Sequence, residues 1–150
     1  MNVLFLDVDG VLITHKSMAN EVPVIEPKNE CISEEALNTL VEIIREHNFN
    51  VVLSSSWRLF KMDYDIIEEV LLRHNIEIID RTVDFHVHSF TKLQRCDEIA
   101  QWLSENPEVE KFIILDDDAM GELSPFHIKT TWFAGLLPEH KEMVRAIMEK

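Results

Sequence analysis

A parallel sheet with helices on both faces is the fold class this sequence predicts, and three observations predict it. Short apolar runs that read as strands alternate with helical patterns of ten or more residues. Connections of that length suit right-handed crossovers, which leave successive strands parallel. The first run, "NVLFL" (2–6), is apolar without alternation, as in a strand buried on both faces. At 150 residues the chain fits one domain, 1–150, long enough to bury a real core.

The elements follow in order. Residues 13–32 lack clear periodicity and carry Pro23 and Pro27, so they read as a long loop of the kind that tends to be functional. Ser33 reads as an N-cap, with Glu34 and Glu35 in the first turn where the helix dipole favours acids. Leu37, Leu40, Val41 and Ile44 continue that helix at helical spacing. "NVVLSSS" (50–56) is a second strand with a hydroxyl-rich end, and Ile67, Val70 and Leu71 mark a helix around 63–74. "IEII" (76–79) is a third strand. Thr91 and Gln94 form a capping box for a helix carrying Leu93, Cys96, Ala100 and Leu103. "KFIILDDD" (111–118) is a fourth strand, "HIKTTW" (127–132) a weaker fifth, and an amphipathic helix from about 139 closes on the sheet.

Composition narrows the function classes. Lys and Arg number 14 against 28 Asp and Glu, a formal net charge of −14. A surface this acidic repels a long nucleic-acid duplex, but admits a small phosphorylated substrate, a nucleic-acid end or a basic protein. No apolar run approaches the roughly 20 residues of a membrane span. The first run also meets its acidic pair too soon for a signal peptide. The cytoplasm is the expected compartment. Cys31 and Cys96 lie far apart, fit no metal or redox spacing and read as reduced thiols. Nothing in the sequence specifies an oligomer.

The strand ends carry the chemistry. Ligands of an open parallel sheet bind beyond the carboxyl ends of its strands. Here the first strand ends in Asp7 and Asp9, the second in Ser54, Ser55 and Ser56, and the fourth in Asp116, Asp117 and Asp118. Arg95 opens the helix before the fourth strand and falls on the same side. Carboxylates crowded beside a buried sheet repel one another, and a hard oxygen-seeking cation such as Mg²⁺ relieves them. Phosphoryl transfer uses such a set: a metal and a cation to spread charge, donors to hold the phosphate oxygens and a nucleophile in line. An aspartate can be that nucleophile, and a second carboxylate two residues on can move protons. Gly10 lets the chain bend so that Asp9 returns over the site.

"FLDVDGVL", "VVLSSSWR", Arg95 with its helix, and "IILDDD" resemble, in order, the four motifs of the haloacid dehalogenase (HAD) superfamily of phosphohydrolases. "SSSWR", "RCDEIAQWL", "ILDDD" and "GLLPEH" resemble more closely the small HAD domains found beside RNA-repair enzymes. The resemblance implies a three-layer, Rossmann-like fold on about five parallel strands. It implies Asp7 as nucleophile, Asp9 as general acid and base, and Ser54 as phosphate binder with backbone amides near Ser55. Arg95 stands where the family places a basic residue that steadies nucleophile and phosphate, with Lys92, one turn earlier, as a competing candidate. Mg²⁺ would be held by Asp7, the backbone carbonyl of Asp9 and Asp117, with Asp116 an alternative or outer ligand; three consecutive acids leave that choice open. Asp118 reads as a solvated loop residue. The implied substrate is a nucleotide or a nucleic-acid terminal phosphate.

Other residues have two readings each. Trp57 and Arg58 either stack on and pair with a nucleotide leaving group, or are a packed indole and a surface arginine. His86 and His88 share one side of an extended segment and either line the substrate entrance or do nothing special; no third ligand suggests zinc. His127 belongs to the last strand or its loop, and His15, just past the first motif, either touches substrate or does not. The short gaps after the first motif and after the third strand imply a capless or minimally capped enzyme with an open site. Two other classes stand beside the phosphatase: a HAD-like binding or regulatory module without turnover, and a receiver-type signalling domain phosphorylated on Asp80.

Overall fold

The computed structural model describes residues 1–83 and 94–150. Strand β1 (Asn2–Leu6) enters the middle of the sheet with Val3, Leu4, Phe5 and Leu6 fully buried. Each such side chain contributes about 1.5–3 kcal/mol by leaving water, which suits this run to a central position. The chain then turns tightly: the amides of Val11, Leu12 and Ile13 all converge on the Val8 carbonyl.

Residues 13–32 are not the unstructured loop the sequence suggests. They hold α1 (His15–Met18) and a small antiparallel ribbon of β2 (Val24–Ile25) and β3 (Ile32–Ser33). A reciprocal cap fixes α1: Ser17 N donates to Thr14 Oγ1 at 3.0 Å and Thr14 N donates to Ser17 Oγ at 2.8 Å. A four-residue helix has no periodicity to read, and its box closes on serine instead of the usual Glu or Gln.

Helix α2 (Glu34–His47) starts on Ser33, whose Oγ accepts from Ala36 N at 3.2 Å, and stops at Asn48 in the left-handed region at φ 55°. Strand β4 (Asn50–Leu53), α3 (Lys61–Leu72) and β5 (Ile78–Arg81) follow. Strand β5 begins later than "IEII" because Asn75 turns the chain at φ 60° and Ile76 is used to cover the core. Next come α4 (Gln94–Glu105), β6 (Lys111–Asp116), β7 (His127–Lys129) and α5 (His140–Met148). Strand β7 is shorter than "HIKTTW" because Thr130 leaves the sheet and its hydroxyl donates to the Gly10 carbonyl. The box assigned to Thr91 and Gln94 lies outside the described residues.

The described strands form a five-stranded sheet in the order β5-β4-β1-β6-β7, every neighbouring pair parallel. The chain runs outward from β1 through β4 to β5, then returns past β1 to β6 and β7. That reversal between β1 and β6 opens a crevice beyond their carboxyl ends. Leu4, Leu6 and Val8 pack with α2, α3 and α5 on one face, while Val3, Phe5, Val52 and Ile114 pack with Ile99 and Trp102 of α4 on the other. The result is a three-layer α/β, Rossmann-like fold. Between β1 and α2 the chain forms α1, the two-stranded ribbon and a 3-10 turn at Pro27–Asn29. Cys31 and Cys96 are free thiols, Cys96 donating to the Met120 carbonyl at 2.8 Å. Among the described residues no helix is long and apolar enough to cross a membrane.

Candidate active site

Strand register assembles the site. Leu6 pairs with Leu53 of β4 and with Leu115 of β6, so the residues that follow, Asp7, Ser54 and Asp116, stand side by side. Strand alternation sends all three toward α4, the side already taken by Phe5, Val52 and Ile114. Val8 takes the opposite side and is fully buried in the other core. One apolar residue between two acids therefore keeps Asp7 and Asp9 apart.

Arg95, near the start of α4, reaches this row and binds both acids. Its Nη1 lies 2.7 Å from Asp116 Oδ2 and 3.3 Å from Asp7 Oδ1. Asp7 Oδ1 also accepts from Val8 N at 2.9 Å, so this oxygen is held while the other is less constrained. Asp116 is fully committed: Arg95 takes Oδ2 and the Asp118 amide donates to Oδ1 at 2.9 Å. Oxygens of Asp7, Asp116 and Asp117 lie within 4.8 Å of one another. Burial, and then the charge of Asp116, push the Asp7 carboxyl well above the usual carboxylate range against the pull of Arg95. Burial, and then Asp116, raise Asp117 as well. Among the described residues Arg95 pairs with two of these three acids, and a hard divalent ion fits the remaining charge and the all-oxygen donor set.

Asp117 leans over Gly10. A Cβ added to Gly10 would fall 2.2 Å from Asp117 Oδ2, and Gly10 sits at φ +83°. Glycine is required here twice, by backbone and by space. Gly10→Ala is expected to cost roughly 1–3 kcal/mol in strain and to displace Asp117. Thermal melts with and without Mg²⁺ check it: the variant melts lower and loses much of the Mg²⁺-dependent rise.

Ser54 is fully buried, and its Oγ has no hydrogen-bond partner among the described residues. A buried hydroxyl left unpaired costs free energy and marks a place for an absent acceptor. Ser54→Ala is accordingly expected to leave the melting temperature unchanged or slightly higher. If Ser54 binds phosphate as the resemblance implies, phosphate release falls about 10- to 100-fold in kcat/KM in this variant, the scale of one lost charge-assisted hydrogen bond. The Ser55 hydroxyl instead accepts from Trp57 N at 3.2 Å and caps the turn that follows.

The remaining residues divide. Trp57 is buried in the core, and its Nε1–H donates to Asp9 Oδ2 at 3.3 Å. That bond lowers the Asp9 pKa, but partial burial outweighs it and the carboxyl stands above its ordinary value. Asp9 is the exposed acid of the pair and lies outside the three-carboxylate cluster. Arg58 is not the surface arginine of one sequence reading, since only 6% of it is exposed. It pairs with Glu98 at 2.8 Å and donates to the carbonyls of Ser54, Ser55, Thr82 and Val83. His127 lies in β7, with Nε2 2.8 Å from the Asp116 carbonyl, and His15 opens α1. Lys92, His86 and His88 lie outside the described residues. A groove of about 670 Å³ lined by Ile44, Phe49 and Ile76 lies at the opposite edge of the sheet, away from these groups.

Sequence reasoning missed two supports. Thr130 joins the ends of β1 and β6, its amide donating to the Asp116 carbonyl and its hydroxyl to the Gly10 carbonyl. Glu98 anchors Arg58; its signal was an acid one turn after Arg95 on the inward face that also holds Trp102. The chain matches the family model of the HAD domain in Swiss Army Knife RNA repair proteins over residues 3–140. Neither the curated proteins nor the solved structures contain a match to it. With the match spanning nearly the whole chain and the site built on its β1–β6 crevice, the chain belongs to this HAD family and is a phosphatase-like domain.

Proposed function

We propose that residues 1–150 act as one catalytic domain, a Mg²⁺-dependent phosphomonoester hydrolase working through a phosphorylated Asp7. The observation that carries this reading is the row of register neighbours: an unpartnered buried hydroxyl on Ser54, the Asp7 carboxylate, and Asp116 with Arg95 across them. Asp7 and Asp117, with the Asp9 carbonyl, would hold Mg²⁺. Asp116, already bound by Arg95 and the Asp118 amide, is better suited to orient them. When bound, the ion neutralises the acidic cluster and draws charge from the phosphoryl oxygens.

In the first step an Asp7 oxygen bonds phosphorus as the ester P–O bond breaks. Asp9 gives its proton to the leaving oxygen, for which a raised pKa is appropriate. Ser54 Oγ–H, amides near Ser55 and Arg95 hold the equatorial oxygens. In the second step Asp9 takes a proton from water, the resulting oxygen bonds phosphorus, and Asp7 leaves as carboxylate with inorganic phosphate released. Trp57 positions Asp9 for both steps through its N–H.

The substrate we favour is a nucleotide or nucleic-acid terminal phosphate, in keeping with the family's description, and the compartment is the cytoplasm, where two free thiols are at home. A long duplex is disfavoured by the charge of −14. A phosphate-release screen with Mg²⁺ over nucleotides, 3′- and 5′-phosphorylated oligonucleotides, sugar phosphates and phosphopeptides tests the reading. Release from none of them would leave the domain a binding module without turnover. The receiver-type reading gains no support: Asp80 lies on the edge strand β5, with β4 between it and Asp7, and accepts from Trp102 Nε1 at 2.8 Å.

A further inference from the structure

Two large aromatic residues stand exposed just after β7, on the same sheet edge as the acidic row. Trp132 is 45% and Phe133 53% exposed. Water is a poor place for two adjacent rings, and nothing in the core explains them. They are also not loose. His15 N donates to the Trp132 carbonyl at 2.9 Å, Lys16 N to the Phe133 carbonyl at 3.3 Å, and Leu136 N to the Val11 carbonyl at 2.9 Å. Gly135, at φ +68°, lets the loop close on Thr14 and Val11, where a Cβ would fall 2.4 Å from Thr14 Cγ2.

The face of Phe133 is already in use as a stacking surface. The His15 ring lies nearly parallel to it, with centroids 5.6 Å apart and planes inclined by 24°. Lys16 Nζ stands 5.0 Å from the ring centroid. Lys16 is also the only Lys or Arg among the first 27 residues of a strongly acidic chain, so the positive charge here is local. Rings at a rigid rim with a cation beside them suit a planar aromatic group that carries negative charge.

The distance suits a nucleotide. Thr130 bonds both the Asp116 carbonyl and the Gly10 carbonyl, so it marks the edge of the phosphate site. Trp132 and Phe133 follow by two and three residues, and a chain reaches at most about 3.6 Å per residue, so both lie within roughly 11 Å of it. We propose that Trp132 and Phe133, with His15 and Lys16, form a stacking platform for the unpaired base next to the scissile phosphate. The leaving group would then be the terminal hydroxyl of a single strand, with Lys16 facing the adjoining phosphodiester. The inference rests on the phosphomonoesterase reading for its substrate, and on Thr130 and the loop contacts for its place.

Binding tests the platform without turnover. Wild-type protein in EDTA is titrated with a short single-stranded oligonucleotide ending in a phosphorylated nucleotide, and with the same strand made abasic at that nucleotide. Trp132→Leu and Phe133→Leu keep apolar bulk and remove the planar ring, and melting curves verify their folding. The expected result is a 5- to 100-fold weaker binding of the abasic strand by wild type, the scale of one base–aromatic stack, and a loss of that preference in Phe133→Leu. Equal binding of both strands by wild type would overturn the platform, as would an undiminished preference in both variants. A phosphotyrosine peptide whose binding depends on Phe133 more than the oligonucleotide's does would overturn the base assignment. Base-dependent binding without phosphate release in Mg²⁺ would keep the platform and overturn the hydrolase.

Discussion

Replacing Asp7 with asparagine is expected to lower phosphate release at least about 10³-fold, because on the proposed mechanism it removes the nucleophile while the rest of the row remains. The isosteric change keeps the Val8 amide contact and leaves Arg95 paired with Asp116, 2.7 Å away. Stability should move the other way. Asp7 is buried within a cluster of three acids that, among the described residues, has Arg95 as its paired cation, so removing its charge relieves repulsion. Without Mg²⁺ the variant should be more stable by roughly 1–3 kcal/mol. At this chain length that is a melting temperature roughly 2–12 °C higher. Mg²⁺ should raise the wild-type melting temperature and barely move that of the variant. A variant as active as wild type would remove Asp7 from the chemistry. An equal Mg²⁺ response in both would remove it from the metal.

The second large effect concerns Arg58. Arg58→Ala is expected to destabilise the fold by about 3–5 kcal/mol, because it breaks the buried ion pair with Glu98. It also removes the donor to four carbonyls at the ends of β4 and β5. The melting temperature should fall by roughly 6–20 °C. Arg58→Lys should recover little, since an ammonium lacks the planar fork that reaches several carbonyls at once. Arg58→Met combined with Glu98→Met should recover much of the loss, as apolar replacements of buried pairs often do. Were Arg58 a substrate contact instead, Arg58→Ala would raise KM and leave the melting curve in place.

These two arginines show what sequence does and does not reveal. Arg95 was legible because its place before the fourth strand put it on the loaded edge, among the acids that end the first and fourth strands. Arg58 sits four residues after Ser54, where a surface role and a buried one have the same local pattern. Its partner Glu98 is forty positions away, and only the packing of α4 against the β4 end joins them. The central strands were legible for a simpler reason, since a run like "NVLFL" has few other stable places. The short helix α1 and the β2–β3 ribbon were not, because their stability comes from the Thr14–Ser17 cap and from contacts with distant segments. Asp117 and Asp116 differ only in which oxygens are already occupied, a distinction that lies in three dimensions. The exposed ring pair at Trp132 and Phe133 was visible as letters, but its meaning depends on Thr130 tying it to the site.

The row of Asp7, Ser54 and Asp116 joins neighbours drawn from the beginning, the middle and the far third of the chain. Contacts of such separation close late and slowly in folding. During synthesis Asp7 emerges first, but it has neither its arginine nor its acidic partners until β6 has left the ribosome and inserted beside β1. On the proposed function, a nascent chain has no complete site, and activity begins only with completion of the sheet.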